Sequence, residues 1–522
     1  MIVPTVNPGA RRLTVAVLAL SAAIFAGSCV KRVERKLTPP DLVRTLDAAS
    51  PYLKAHLRSG YVYVLSAWQV DSQTNAIEGE GELLDVSRVR LDSGRFRLPV
   101  DSVALFETNV LRRSGATTAL TVMAGVTAAV AGFCATSPKT CFGSCPTFYT
   151  PDSAGVERLQ AEGFSASIAP ALEATDVDML YHVRPRGRDL TLLLTNEALE
   201  THVVRFANLL AAPRPEGGRV FPTPEGTFWA ATALTPPARC TAAEGDCRVA
   251  VQAADGLERS SLADSTDLAA REMIALEFDR VPPGRSGLVI TARQSLMTTF
   301  LVYQALAYLG SDAARWLASL ETGGPAAREQ ARGLGRALGR MEVLVSDAAG
   351  GWTPVGSVGE TGPLAADTKV VPLPPADSGS RHLRLRLTRG LWRLDYVALA
   401  TLGDSVRPAR IAPARVRRAG RDAPAAREAL LDSTRALTTL PGDVYELVYR
   451  LPPHPDRLEL FLEARGYYLE WMRREWSPEQ NPLLALRLAV DPAGALRALA
   501  PAYKRLEPQM ERLFWNSRYV VR

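Results

Sequence analysis

The stretch RHLRLRLTRGLWRLDYVAL, residues 381–399, decides the fold class of this chain. Between Arg381 and Leu387 the leucines 383, 385 and 387 alternate with polar residues, and a period of two is that of a strand with one buried face. A second apolar run, Leu391 to Leu399, follows a short turn that contains glycine. Such closely spaced runs predict strands of a β-sandwich or jelly roll.

Similar patterns extend this prediction along the chain. Short strands are predicted around the Arg58-Ser59-Gly60 turn, and others between 190 and 209 and between 445 and 464. Helical periodicity replaces them from Ser295 to Leu320 and again from Leu496 to Trp515. The sequence therefore predicts a mainly β multidomain protein, with a small β-barrel-like unit, β-sandwich or jelly-roll-like domains, an apolar helix, a mid-chain helix and a helical C-terminal tail.

A chain of 522 residues is too long for a single core. Changes in composition and periodicity divide it into eight predicted segments: a lipoprotein signal peptide (1–28), a tether (29–50), a small β-barrel-like domain (51–108), an apolar helical segment (109–138), a β domain (139–294), a helical connector (295–338), a β-sandwich-like domain (339–470) and a largely helical tail (471–522).

Cys29 lies at the end of a segment with the layout of a bacterial lipoprotein signal. Two arginines, Arg11 and Arg12, precede the apolar run Leu13 to Phe25, and small residues 26–28 stand directly before the cysteine. Acyl chains attached at Cys29, for example palmitate, would anchor the mature protein to a membrane without a membrane-spanning helix. The alternative is an uncleaved N-terminal anchor, and both interpretations predict a protein of the cell envelope that faces the periplasm or the cell exterior.

The charge pattern argues against nucleic acid as a partner. The net charge is only +6, and no basic run is interleaved with aromatic residues. Basic residues follow the predicted anchor directly, where anionic lipid headgroups would attract them; a solvated tether would explain them equally well. These residues are Lys31, Arg32, Arg35 and Lys36.

The remaining five cysteines fit an oxidising compartment. Cys240 and Cys247 flank a polar hexapeptide and are predicted to close a hairpin with a disulfide. Cys141 and Cys145 bracket Phe-Gly-Ser and are a second candidate disulfide, which leaves Cys134 unpaired. We predict no metal at this cluster, because its spacing is not that of a zinc ribbon and it contains no histidine.

Residues 114–138 contain no charge, and Ala116 to Ala135 consists mostly of small residues. The length would permit a membrane span, but the large apolar residues that drive insertion are scarce. We therefore expect a helix that packs on the protein or rests on the membrane, with the later cysteines outside the cytoplasm.

No catalytic or cofactor motif is present. The sequence lacks HExxH, GxSxG and P-loop patterns, and its five histidines include no i, i+4 pair. The acidic residues Glu173, Asp176 and Asp178 are predicted to lie in a surface turn. Aromatic residues of the C-terminal half are expected in a core rather than in a sugar-stacking row: Trp352, Trp392, Tyr396, Tyr467, Tyr468 and Trp471.

Three blocks resemble segments of a family of uncharacterised bacterial envelope lipoproteins: residues 101–109 (DSVALFETN), 141–149 (CFGSCPTFY) and 194–197 (LTNE). The similarity covers the chain between about residues 50 and 470, and block 141–149 is its most specific part. The resemblance implies a shared architecture. That family has no known activity, so the resemblance implies no catalytic residue.

The sequence thus favours a membrane-anchored lipoprotein that acts as a binding or scaffolding module at the cell envelope, without a cofactor. Its partners would be membrane lipid, through the anchor, and an envelope protein or glycan. One alternative is an envelope hydrolase of glycan or peptide whose acidic residues converge only in the fold. Another is a carbohydrate-binding protein that uses the C-terminal aromatic residues.

Overall fold

The computed structural model describes residues 31–71, 73–85, 90–113, 145–151, 157–185, 187–281, 284–346, 350–375, 379–471 and 478–517. Strands make up 47% and helices 23%, which confirms the mainly β fold class. The chain is divided into two compact units, Met1–Thr136 and Ser137–Arg522.

The first unit contains one antiparallel six-stranded sheet, which forms half of a barrel. In chain order its strands are β1 (Lys31–Thr38), β2 (Tyr52–Leu57), β3 (Val62–Asp71), β4 (Ala76–Leu84), β5 (Arg90–Pro99) and β6 (Val103–Arg113). Short 3₁₀ helices precede β2 and β6, at Pro40–Thr45 and Val100–Ser102. In space the strands follow the order β1-β6-β2-β3-β4-β5, and the buried side chains of β2, β3, β4 and β6 form one core.

The structure changes both predicted boundaries of this unit. Residues 31–38, which the sequence predicts as part of a tether, form β1 and pair along their whole length with β6. Residues 109–113, predicted as the start of an apolar helix, belong to β6. In a tether, water would bind the backbone N–H and C=O groups of residues 31–38. In the folded unit those that face β6 instead form hydrogen bonds with this distant strand, which the local sequence does not reveal. The rest of the predicted apolar segment, residues 114–138, lies outside the described residues.

Residues 78–82, Glu-Gly-Glu-Gly-Glu, lie in β4. A Cβ atom at Gly81 would lie 1.9 Å from the carbonyl oxygen of Val64 in β3, so only glycine permits this close approach. Glu78 and Glu82 form ion pairs with arginines of β5, as between Glu78 and Arg95 at 3.4 Å. These carboxylates therefore form a solvated strand face.

The described residues of the second unit form four antiparallel sheets. Its strands are β7 (Thr147–Pro151), β8 (Glu157–Glu162), β9 (Ala174–Met179), β10 (Asp189–Thr195), β11 (Glu200–Pro213), β12 (Arg219–Pro222), β13 (Phe228–Thr235), β14 (Arg239–Ala242), β15 (Gly245–Asp246), β16 (Arg259–Ser260), β17 (Arg271–Phe278), β18 (Ser286–Gln294), β19 (Met341–Ser346), β20 (Trp352–Val358), β21 (Asp367–Pro372), β22 (Arg381–Thr388), β23 (Trp392–Val406), β24 (Ala409–Ile411), β25 (Arg415–Arg418), β26 (Arg421–Asp422), β27 (Leu437–Thr439), β28 (Val444–Arg450) and β29 (Leu458–Glu470).

The helices of this unit lie mainly in the middle and at the end of the chain. They are α1 (Arg248–Val251), α2 (Met297–Leu309), α3 (Ala313–Thr322), α4 (Gly324–Ala331), α5 (Gly333–Leu338), α6 (Pro424–Leu431), α7 (Pro482–Val490) and α8 (Pro492–Ser517), with 3₁₀ turns at Pro170–Leu172, Gly310–Asp312 and Pro455–Arg457. The predicted mid-chain and C-terminal helices are confirmed. Helix α8 contacts α2, where the rings of Phe300 and Tyr503 lie 5.2 Å apart.

The sheets combine strands that are far apart in the chain. β28 pairs with β10, β29 with β11, and β23 with β18. Residues 139–294 and 339–470, which the sequence divides into two β domains, therefore share sheets within one compact unit. The predicted domain boundaries differ from the observed unit because periodicity in the sequence locates strands but does not specify which strands pair with each other.

The central sheet of the stack, β24-β11-β29-β9, is buried on both faces. In β11, Leu209 packs into a core shared with the sheet of β7, β10 and β28, whereas Leu210 packs into a core shared with the sheet of β13, β18 and β23. In β29, Leu462 and Phe461 divide in the same way. These two strands therefore hold three layers together.

The stretch 381–399 contributes two strands, as predicted, but β22 and β23 do not pair with each other. β22 lies between β17 and β19, while β23 lies between β13 and β18 in another sheet. The chain passes between the sheets at Gly390, whose φ is +72° and where a Cβ would lie 2.4 Å from the Ala263 nitrogen. Glycine is required at this position for both reasons.

Among the described residues, no helix combines the length and apolar character that a membrane crossing requires.

We expect a fragment of residues 339–470 not to fold by itself, because β23, β28 and β29 would lose their partners from residues 189–294. Circular dichroism and limited proteolysis should show an unfolded chain, whereas residues 137–522 should unfold cooperatively. A cooperative thermal transition of the shorter fragment would contradict this expectation.

Candidate functional site

Nine polar side chains meet in the second unit against the loop 359–366, which joins β20 to β21. We refer to them as the acidic cluster. Five carboxyl groups and only one amine contribute, so the balance of charge is acidic. Its members are Cys145, Glu162, Ser165, Asp176, Asp178, Glu360, Asp367, Lys369 and Tyr468.

Glu162 occupies the end of β8, opposite Thr147 at the start of β7. Cys145 lies two residues before Thr147, so the thiol and the carboxyl group come to the same end of this strand pair. Glu162 is 1% exposed, and its Oε2 accepts a hydrogen bond from the Leu364 nitrogen at 2.7 Å. Its other oxygen, Oε1, accepts no hydrogen bond from the described residues.

The loop 359–366 needs a glycine to reach Glu162. Gly362 has φ +76°, and a Cβ there would lie 2.5 Å from Glu162 Oε2. Its backbone nitrogen donates to Glu360 Oε1 at 2.7 Å, and the Ser165 hydroxyl donates to the same oxygen at 2.6 Å. The loop therefore holds two glutamates through its own backbone, while Glu360 itself is exposed to solvent at the rim.

Lys369 supplies the only amine of the cluster. Its Nζ lies 2.5 Å from Asp367 Oδ2 and donates to the carbonyl oxygen of Val177 at 2.6 Å. Burial works to lower the pKa of Lys369, but the carboxylates of Asp367, Asp176 and Asp178 outweigh it and raise that pKa above its ordinary value. The amine therefore stays charged, which stabilises ionised aspartate beside it.

Tyr468 connects the cluster to the central sheet. Its hydroxyl donates to the carbonyl oxygen of Ser165 at 2.9 Å, which also lies 3.7 Å from the Cys145 sulfur. In the register of β11 and β29 Tyr468 stands opposite His202, whose Nε2 lies 3.1 Å from Glu200 Oε1. Both Glu200 and His202 are fully buried, so polar groups continue beyond the cluster into the core.

Burial decides the protonation of the innermost acids. It raises the pKa of Glu162 to about 8, and the nearby carboxylate of Glu360 adds to this rise. Burial also raises the pKa of Asp178 well above its ordinary value, with Asp176 and Asp367 as further causes. At neutral pH Glu162 is therefore a neutral acid that holds a proton in the interior.

The raised pKa of Glu162 is like that of the general acid of a hydrolase, but a substrate could not reach its carboxyl group. Cys145, Glu162 and Asp178 are each less than 10% exposed, whereas Asp176, Lys369 and Glu360 reach towards solvent. A substrate would have to displace the loop 359–366 to touch Glu162. In the described conformation the innermost acids of the cluster are therefore closed to a ligand.

Cys145 is a free thiol, so the structure does not contain the predicted Cys141–Cys145 disulfide. Its side chain faces the buried acids, which explains the difference. Burial raises its pKa well above the ordinary value, and the charges of Glu162 and Glu200 add to this effect. The protonated thiol is a poor nucleophile. Cys141, Cys134 and Cys29 lie outside the described residues.

Cys240 and Cys247, the pair that the sequence predicts to close a hairpin, are disulfide-bonded. Cys240 lies in the short strand β14, which pairs with β15, and Cys247 directly follows β15; Gly245, the first residue of β15, has φ +116°. The hairpin adds to the edge of the sheet that contains β17 and β22. This bond therefore closes an edge of the sheet and takes no part in the acidic cluster.

The aromatic residues of the C-terminal half do not form an exposed row. Trp392, Tyr396, Tyr467, Tyr468 and Trp471 are 1–7% exposed. Trp352 is partly exposed, but the guanidinium of Arg384 covers its ring at 4.1 Å. These side chains are core or covered, as expected, so the structure offers them no sugar-stacking role.

A polar cavity of about 220 Å³ lies beside helix α8. Its lining includes Ser261 and Glu507, which are both engaged by their own chain: Ser261 donates to Glu272 Oε1 at 2.6 Å, and Glu507 Oε1 accepts from the Ala263 nitrogen at 2.6 Å. These contacts fix the helix against the sheets. They do not leave the two groups oriented for a ligand.

Among the residues that the structure describes, no group of three or more His, Cys, Asp or Glu side chains is arranged to hold a metal ion. In the acidic cluster the amine of Lys369 occupies the position between Asp367 and its neighbours where a cation would lie.

Sequence reasoning missed most of the acidic cluster. It predicts Asp176 and Asp178 in a surface turn, but both lie in β9, and Asp178 is 6% exposed. Glu162, Glu360 and Lys369 carry no motif and come together only through sheet packing. The one local signal is Lys369 itself, a lysine inside the apolar strand β21.

Comparisons with known proteins leave the chain without an assigned family. Neither a protein-family model nor a curated protein matches it. Among solved structures, a GH31 alpha-xylosidase from Xanthomonas citri is 9% identical, with 88% of this chain and 39% of that chain covered and a TM-score of 0.16. An uncharacterized protein from Listeria monocytogenes is also 9% identical, with 65% and 30% covered and a TM-score of 0.13. The chain thus spans less than half the length of either protein, and similarity this weak supports no conclusion about fold or function.

The raised pKa of Glu162 predicts a pH-dependent stability. The folded-state pKa of about 8 exceeds the ordinary value of 4.5, so this contribution is complete below pH 4.5 and is lost as the pH rises through about 8. Glu162→Gln keeps an acceptor for the Leu364 nitrogen and cannot ionise. We expect the variant to weaken the decline in unfolding free energy by up to about 1.4 kcal/mol per pH unit.

Urea unfolding between pH 5 and pH 9 would measure this effect. The matched control is Glu216→Gln, at an exposed glutamate of the same unit, which should leave the slope unchanged. Equal slopes in the wild type and in Glu162→Gln would show that Glu162 is ionised throughout.

Gly362 allows a second test of the cluster. Gly362→Ala should destabilise the protein by about 1–3 kcal/mol more than Gly350→Ala. Both glycines have positive φ, +76° and +82°, but a Cβ at Gly350 meets open space, so the difference isolates the overlap with Glu162. Equal unfolding free energies of the two variants would contradict the close contact.

Proposed function

We propose that this protein is a lipid-anchored lipoprotein of the bacterial cell envelope, and that its β-rich body binds or scaffolds another envelope component without catalysis. The signal layout before Cys29 carries this proposal. In the described part of the chain β1 starts at Lys31, two positions after Cys29, so only Val30 lies between the proposed anchor and this strand. Two extended residues span at most about 7 Å, which would keep the first unit close to the membrane surface.

The enclosed acidic cluster supports a binding role over an enzymatic one. Its innermost groups, Cys145 and Glu162, are protonated and buried, and Glu162 is held by the backbone of the loop 359–366. These contacts hold the buried end of β8 against the loop 359–366. A binding or scaffolding protein requires a rigid body of this kind, whereas a hydrolase requires an open cleft.

One observation favours the second candidate, an envelope hydrolase of glycan or peptide. Acidic residues do converge in the fold, and Glu162 has the raised pKa that a general acid needs at neutral pH. If the loop 359–366 opened, Glu162 and Glu360 would face the same space. Cell-wall hydrolysis that disappears in Glu162→Gln, but persists in Glu216→Gln, would establish this candidate in place of the first.

The anchor is tested directly in cells with an acyl-chain probe. We expect the wild type to be labelled and to sediment with membranes, and Cys29→Ser to be unlabelled and to keep its signal segment. Ser28→Ala is the matched control, because it keeps a small residue before the cysteine and should retain the label. Label that persists in Cys29→Ser would refute lipidation at this position.

A further inference from the structure

The edge strand β1 and its neighbour β6 extend beyond the rest of the first sheet. β2 pairs with β6 only between Val103 and Thr108. Residues 31–35 of β1 and 109–113 of β6 continue to pair with each other past that point. They form a two-stranded ribbon about 17 Å long, which we call the basic ribbon.

The register places like charges opposite each other at the end of this ribbon. Lys31 stands opposite Arg113, and Arg32 stands opposite Arg112. With Arg35 the ribbon contains five basic residues against the single acid Glu34. Directly opposed like charges destabilise an antiparallel pair, and an isolated two-stranded ribbon is only marginally stable in water. An external anion at this end would offset both costs.

In the sequence, both strands continue from this end into uncharged segments, for one of which a lipid anchor is proposed. On β1, the predicted lipidation site Cys29 lies two residues before Lys31. On β6, the uncharged residues 114–138 follow Arg113 immediately. The four opposed basic residues therefore stand at the junction of two apolar or lipid-bearing segments and a charged sheet, where the headgroup layer of a bilayer would lie.

We propose that the end of the basic ribbon, formed by Lys31, Arg32, Arg112 and Arg113, binds the headgroups of anionic phospholipids. This inference rests on the proposed lipid anchor and adds a lipid specificity to it. Phosphate oxygens carry the negative charge that is missing from the pairs Lys31–Arg113 and Arg32–Arg112. Lys31 would lie within about 7 Å of the anchor, which is shorter than the screening length of roughly 8–10 Å at moderate salt. Juxtamembrane basic residues gain about fivefold in affinity each at such a surface.

The lipidated protein, purified in detergent, provides the test. It is diluted into an equal mixture of phosphatidylcholine vesicles and vesicles that contain about 30% phosphatidylglycerol, which are then separated by density. We expect at least a tenfold preference for the anionic vesicles near 0.05 M salt, and little preference near 0.5 M salt, because salt screens the headgroup charge. Equal distribution of the wild type at low salt would overturn the proposal.

Three variants locate the effect. The quadruple variant Lys31→Gln, Arg32→Gln, Arg112→Gln, Arg113→Gln should lose the preference. The matched control changes four exposed arginines elsewhere in the first unit and should keep it: Arg44→Gln, Arg58→Gln, Arg90→Gln and Arg95→Gln. The double variant Lys31→Gln, Arg32→Gln leaves β6 intact and should lose part of the preference, which guards against misfolding of the quadruple variant.

Retention of the full preference by the folded double and quadruple variants would overturn the proposal, as would its loss in the control. Failure of the anchor gives a different result. An unlipidated protein would remain with neither kind of vesicle after washing at high salt, whereas a lipidated protein without headgroup specificity would bind both kinds equally.

Discussion

The antiparallel pair β11–β29 is the interaction on which the second unit depends. It joins residues 200–213 to residues 458–470 over their full length, with one irregularity near Val204. Both faces of the pair are buried. Each strand must therefore be apolar on both faces, because successive side chains enter two different cores. Sheets on either side have no apolar surface to pack against unless this pair forms, so distant parts of the chain fold as one unit.

Polar groups at the ends of this pair are neutralised in different ways. Glu459 in β29 is fully buried, and the guanidinium of Arg219 binds both of its oxygens, at 2.8 and 3.0 Å. The acidic cluster lies towards the other end, next to Tyr468, and contains more carboxyl groups than cations. A buried carboxylate without a cation is costly, so protons take the place of the missing charges there.

Whereas the second unit buries many of its charged groups, the first unit has much of its charge on exposed strands. The outer strand β5 presents arginines to solvent, and charged residues on an edge strand discourage pairing with other chains. The other edge, β1, starts next to the predicted anchor. Under the proposed anchor at Cys29, a membrane at that end would cover this edge and its basic residues together.

The sequence by itself determined the local features of this protein. The alternation at 381–387 predicts β22, and the spacer between Cys240 and Cys247 predicts a hairpin, because a period of two or a short polar loop is encoded within a few residues. Only the tertiary structure decided that β22 and β23 enter different sheets and that residues 31–38 join a sheet. It also brought Glu162, Glu360 and Lys369 together. Strand pairing and burial depend on contacts between residues hundreds of positions apart, and no local pattern specifies which of many compatible strands will meet.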